Sequence, residues 1–194
     1  DKLKRIREKA FFNCKYLVGS LVIPEGVESI SEKAFFGCSG FDGTLTLPST
    51  LKWIGPSAFG ACSHFTGSLN LPDALEHIYD MAFVNCAGFS GRLVLPSSLK
   101  TISYAAFSDC SGLTGSLTIP QKLTEIGGSA FLSCSFDGTL SLPNGITTIG
   151  SDAFARCAFK GELILPSNIK VIESGAFSGN QFSGTLHLPS SLSI

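Results

Sequence analysis

Proline occurs at positions 24, 48, 72, 96, 120, 143, 166 and 189, a spacing of 24 residues that becomes 23 from Pro120 onward. A recurrence this regular constrains the fold more than any local propensity. A unit of about two dozen residues cannot bury an apolar face alone, so its neighbours must cover it. Between successive prolines the pattern is P-x-x-L-x-x-I-x-x-x-A-F-x-x-C-x-x-F-x-G-x-L-x-L, with aliphatic exchange in the Leu and Ile columns and Leu for Phe in two units. The spacing predicts a repeat solenoid of about eight coils of 23–24 residues, one unit over residues 1–194 without a linker.

Each coil is readable in parts. In G-x-L-x-[LI]-P the apolar residues alternate, so the segment is a short strand with its leucines inward and the residues between them outward. Glycine before it suits positive φ or close backbone approach, and proline after it ends the strand where an N–H is not needed. Stacked coils then pair these strands in parallel. P-x-x-L-x-x-I continues round the coil, turning inward twice, and x-x-A-F-x-x-C is predicted to be a single helical or 3₁₀ turn held by its Phe. The chain enters the pattern just past a proline position and stops soon after Pro189, so neither end carries a polar capping repeat. A piece of a longer protein is the expectation.

All seven cysteines, Cys14, Cys38, Cys62, Cys86, Cys110, Cys134 and Cys157, fall in one column, which Asn180 completes. Three readings compete. A zinc site wants converging ligands, whereas one thiol per coil makes a line. Disulfides need pairs, and the count is odd. A buried column, in which Cys is a small apolar filler and Asn replaces it by bonding to backbone groups of the turn, accounts best for the exchange.

Catalytic and cofactor chemistry find no foothold. His64, His77 and His187 lie in different variable columns, and no serine stands in G-x-S-x-G. The glycines recur by coil rather than as G-x-G-x-x-G or a phosphate loop. No catalytic residue, cofactor or metal is predicted. A net charge of -1 supplies no basic field for nucleic acid, and no apolar run reaches the roughly 18 residues of a membrane span.

Long regular faces leave binding as the expected activity. On the outward strand face the candidates are Thr44, Thr46, Asn70, Arg92, Thr118, Thr139, Glu162, Thr185 and His187, a polar and hydroxyl-rich row that β-propensity alone would also produce. On a second flank Trp53 occupies the variable position before the Ile column, with His77 beside it in the same column and Tyr79, Met81 and Tyr104 at neighbouring variable positions. Trp and Tyr are the residues most enriched at binding hot spots.

The stretches "LPSTLKWIGPSAFGACSHFTGSLNLP" and "LPNGITTIGSDAFARCAFKGELILP" resemble the BspA-like leucine-rich repeat, a subclass related to the Treponema type. The resemblance covers nearly the whole chain. It departs from the usual pattern where Phe-x-Gly ends the turn in place of L-x-S/T. The family is made up mostly of bacterial surface or secreted proteins, some of them adhesins for host matrix proteins or other cells. The resemblance therefore implies a non-catalytic, extracellular recognition scaffold with a protein partner. A carbohydrate-binding module and a mechanical spacer for another domain are the alternatives.

Overall fold

The computed structural model describes residues 3–193, and they form a parallel β-solenoid of stacked coils, as the proline spacing requires. The principal sheet is not where the alternation placed it. Two-residue strands at the Ile column, Arg5–Ile6, Ser29–Ile30, Trp53–Ile54, His77–Ile78 and Thr101–Ile102, pair one coil apart into a five-stranded sheet. Glu125–Ile126, Thr148–Ile149 and Val171–Ile172 continue the same column as a three-stranded sheet.

Along G-x-L-x-L, pairing is intermittent. Leu21–Val22 joins Leu45–Thr46 and Leu117–Thr118 joins Leu140–Ser141, with one isolated bridge between Asn70 and Val94, while at the preceding corner Gly91–Arg92 joins Leu113–Thr114 and Lys160–Gly161 joins Gln181–Phe182. The glycine column explains this. Gly19, Gly67, Gly91, Gly115, Gly161 and Gly184 are left-handed, whereas Gly43 and Gly138 are not. Both exceptions lie in the sequence Phe-Asp-Gly-Thr-Leu, and each follows a coil that carries Gly-Ser-Leu. Asp42 Oδ1 accepts the Gly19 N–H at 2.7 Å, and Asp137 Oδ1 accepts that of Gly115 at 2.9 Å. The hydroxyls of Ser20 and Ser116 accept the N–H groups of Thr44 and Thr139, each at 3.0 Å. These bonds draw the two coils into register, and the two-residue strands follow directly.

The A-F-x-x-C segment is not helical, and among the described residues there is no helix. In coil one the N–H groups of Ala10, Phe12 and Cys14 close turns onto carbonyls three residues back, at 3.3, 3.1 and 3.2 Å. Those of Lys9, Phe11 and Asn13 instead donate to Glu32, Ala34 and Phe36 of the next coil at 3.0, 2.7 and 2.8 Å. Left-handed backbone at Lys9 and Asn13, with φ of 53° and 56°, makes the alternation possible, and the same two columns are left-handed in every later coil. A helical turn would point all its N–H groups along one axis and leave the neighbouring carbonyls unpaired.

The core is built from ladders. Phe35, Phe59, Phe83, Phe107, Phe131 and Phe154 stack coil on coil, with centroids 5.4–5.5 Å apart and planes within 8°. The separation exceeds the roughly 4.8 Å rise per coil because offset stacking is preferred over a face-to-face sandwich. A second column, Phe41–Phe65–Phe89 and Phe136–Phe159–Phe182, is interrupted by Leu113. Its rings meet the first column edge-on, as in Phe83–Phe89 at 6.3 Å and Phe131–Phe136 at 6.1 Å. No buried side-chain nitrogen or oxygen lacks a partner among the described residues.

Candidate partner-binding face

The outward residues of the five-stranded sheet are Arg5, Ser29, Trp53, His77 and Thr101, which the parallel register lays in one row. Ser29 is small and buried, so the Arg5 side chain crosses above it, donates Nε–H to the Ser29 hydroxyl at 3.1 Å and places its guanidinium over the Trp53 ring, 5.9 Å from the centroid. Tyr79 approaches Trp53 edge-on at 6.3 Å and stacks on His77 at 5.7 Å, with planes 12° apart. The His77 Nδ1 lies 3.0 Å from the Thr101 hydroxyl. Cation–π and aromatic contacts of this kind fix the side chains relative to one another before any partner arrives.

Beside this row runs a column of alternating charge: Lys4, Glu28, Lys52, Glu76 and Lys100. Glu28 pairs with Lys4 at 2.8 Å and Lys52 at 3.0 Å, and Glu76 with Lys100 at 2.6 Å. Hydrogen bonds from the two ammonium groups hold the Glu28 carboxyl down at about 2, and the Lys100 bond lowers that of Glu76. Exposed pairs like these add little stability, but they commit both carboxylates within the face.

Of the aromatic flank expected from sequence, Trp53, His77 and Tyr79 come together. Met81 and Tyr104 lie next to each other beyond them, joined by a backbone bond from the Met81 N–H to the Tyr104 carbonyl at 2.8 Å, and both are exposed. Met81 stands in a left-handed turn column with φ of 56°. Arg5 and the charge column were missed by sequence reasoning. The alternation of Lys and Glu at 24-residue spacing was the available signal.

The other candidate row is exposed throughout: Thr44, Thr46, Asn70, Arg92, Thr118, Thr139, Glu162, Thr185 and His187 all face solvent on the G-x-L-x-L side. Part of its hydroxyl character is used internally, since Thr44 and Thr139 donate to Ser20 and Ser116 at 3.3 and 3.2 Å. Nothing in the geometry brings this row into contact with the Trp53 group.

The thiol column is internal. Six of its members donate S–H to a Phe carbonyl of the preceding coil, as Cys62 does to Phe35 at 3.1 Å and Cys86 to Phe59 at 3.0 Å, and all seven thiols are free. Loss of solvation pushes Cys62, Cys110 and Cys157 up to about 12. Among the described residues no three His, Cys, Asp or Glu side chains converge as metal ligands, and no helix is long and apolar enough to cross a membrane.

Comparison with solved structures finds the same architecture in bacterial proteins. A leucine-rich cell surface protein from Faecalibacterium prausnitzii is 27% identical, with a TM-score of 0.59, over 91% of this chain and 40% of its own. A T. pallidum leucine-rich repeat protein is also 27% identical, with a TM-score of 0.61, over 84% of this chain and 72% of its own. A leucine-rich repeat protein from Bacteroides ovatus, 23% identical with a TM-score of 0.67, shares the fold over 88% of this chain and 49% of its own. The chain thus spans less than half the length of two of these proteins. No curated protein matches the sequence. The BspA type leucine-rich repeat region matches in six copies over residues 1–114 and 90–194. With that coverage, and with its stacked Phe and Cys columns, the chain belongs to the BspA-type leucine-rich repeat family.

Proposed function

We propose that this chain is a recognition segment of a bacterial surface protein and that it holds a protein partner on the aromatic and basic face of its first five coils. The observation that carries the reading is the Arg5–Trp53–Tyr79–His77 cluster, in which four side chains are held in mutual contact on the outer side of a rigid sheet. Preorganised Trp, Tyr and Arg make good anchors because little side-chain entropy remains to be lost on binding. The surface location of the Faecalibacterium protein agrees with an adhesive or receptor role.

A panel of immobilised extracellular-matrix proteins tests this. Tyr79→Ala removes an exposed ring, and it is expected to weaken capture by about 2 kcal/mol or more while stability falls by less than about 1 kcal/mol. Trp53→Ala should weaken capture at least as much, with a larger stability loss because the ring is half-buried in the sheet. Capture insensitive to both substitutions but abolished by Arg92→Ala would move the site to the hydroxyl-rich row.

A further inference from the structure

The face is polarised along the solenoid axis, and the polarity points to the chemistry of its partner. Across the first five coils, the sheet row and its two flanking columns hold Lys4, Arg5, Arg7, Lys52 and Lys100 against Glu28 and Glu76, an excess of three positive charges on a chain whose net charge is -1. The same three columns in the last three coils hold only Lys170 against Glu125 and Glu173, an excess of one negative charge. Both carboxylates of the basic half are already bound to lysines, whereas no ion pair engages Arg5 or Arg7 among the described residues.

Ring geometry narrows the partner further. The Arg5 guanidinium covers one face of Trp53, and the His77 and Tyr79 rings cover one another. One face of each of these three rings is therefore covered, which reduces the area on which a pyranose could stack. The cluster supplies a guanidinium that no ion pair engages among the described residues and electropositive ring edges, both suited to carboxylates.

We propose that this half of the face binds an extended segment of a partner protein rich in Asp and Glu, with Arg5 as the charged anchor and the Trp53–Tyr79–His77 rings as the wall against which the peptide lies. The inference rests on the recognition reading of the same face and adds the chemistry of the partner. The four steps of about 4.8 Å between the five strands span roughly 20 Å, which about six residues of extended peptide cover.

The test is fluorescence anisotropy with a labelled acidic peptide of about twelve residues, its Glu/Asp→Gln/Asn counterpart, and polygalacturonate as an acidic glycan. The acidic peptide should bind and the amide peptide should not, and affinity should fall steeply between about 50 and 300 mM salt. Arg5→Gln should weaken binding about tenfold and Arg7→Gln less, while Arg92→Gln on the other side of the coil should leave it unchanged. Circular dichroism of each variant confirms the fold. Binding of the glycan but not the peptide, equal binding of both peptides, or equal loss with Arg92→Gln overturns the assignment. If matrix-protein capture depends on Tyr79 while the acidic peptide fails to bind, the recognition surface stands and the charge assignment alone falls.

Discussion

Asn180 donates from Nδ2 to the Phe154 carbonyl at 2.8 Å, taking the acceptor position that Phe131 offers to the Cys157 thiol at 3.1 Å one coil earlier. The amide does more than the thiol. It also donates to the Phe177 carbonyl at 2.9 Å and accepts the Phe159 N–H at 3.1 Å. Each of these groups is a backbone atom of the turn, so the exchange of Cys for Asn preserves an internal bond and adds two.

Asn180→Ala leaves all three backbone groups without this partner, and stability should fall by about 2 kcal/mol. Asn180→Cys restores the bond to Phe154 alone and should recover roughly half of the loss. Chemical denaturation of the three proteins orders them. Equal stability of the Ala and Cys variants would contradict the shared role of the column.

Two glycines of one column should respond differently to the same change. A Cβ on Gly43 would stand 2.6 Å from the Ser20 backbone nitrogen and 2.8 Å from the Gly19 carbonyl carbon, and neither can move without shifting the coil. A Cβ on Gly115 meets nothing within 4 Å, and only its φ of 81° resists substitution. Gly115→Ala should therefore cost about 1–2 kcal/mol, and Gly43→Ala clearly more. Thermal unfolding of both variants reads the difference.

The thiols give an alkaline limit to stability. Burial raises Cys62, Cys110 and Cys157 from an ordinary value of 9.0 to about 12, so the folded state holds protons that the unfolded chain releases. Their contribution is complete below about pH 9 and is lost as pH rises from 9 towards 12. Stability should fall through that window, and replacing the three cysteines by Ala should make the fall shallower, with Cys38, Cys86 and Cys134, also raised by burial, supplying the remainder. In the native state Cys14, half-exposed, should react first with a thiol reagent while the six buried thiols are protected.

The solenoid, its inward columns and the role of Asn180 were legible in the sequence because stacking places equivalent residues over one another, and the period is visible without knowledge of the backbone. The principal sheet was not. Alternation marks Leu45-Thr46-Leu47 as a strand more strongly than Ser29-Ile30, yet pairing depends on which backbone groups can reach the next coil. At the glycine column that is decided by the bonds that Asp42 and Asp137 accept from Gly19 and Gly115, together with those accepted by Ser20 and Ser116. The turn was misread as helical because Ala-Phe-x-x-Cys has helical spacing, whereas left-handed residues such as Lys9 and Ser57 carry no composition signal that would exclude a helix. On the candidate face, Trp53 was visible as an outlier in its column. Arg5 was not, because its contact with Trp53 reaches across an intervening coil over buried Ser29.

The change of period from 24 to 23 has a single location. Cys110 and Leu113 are three positions apart, while Cys134 and Phe136 are two, as are Cys157 and Phe159. Every other spacing survives, and Phe131 still stacks on Phe154 at 5.5 Å and 4°. The corner after the thiol column is thus the joint at which the later coils are one residue shorter, while the remaining sides keep their length from coil to coil. Such a molecule can lengthen or shorten in inheritance by duplication and deletion of entire units, each newcomer meeting a seat already shaped for it.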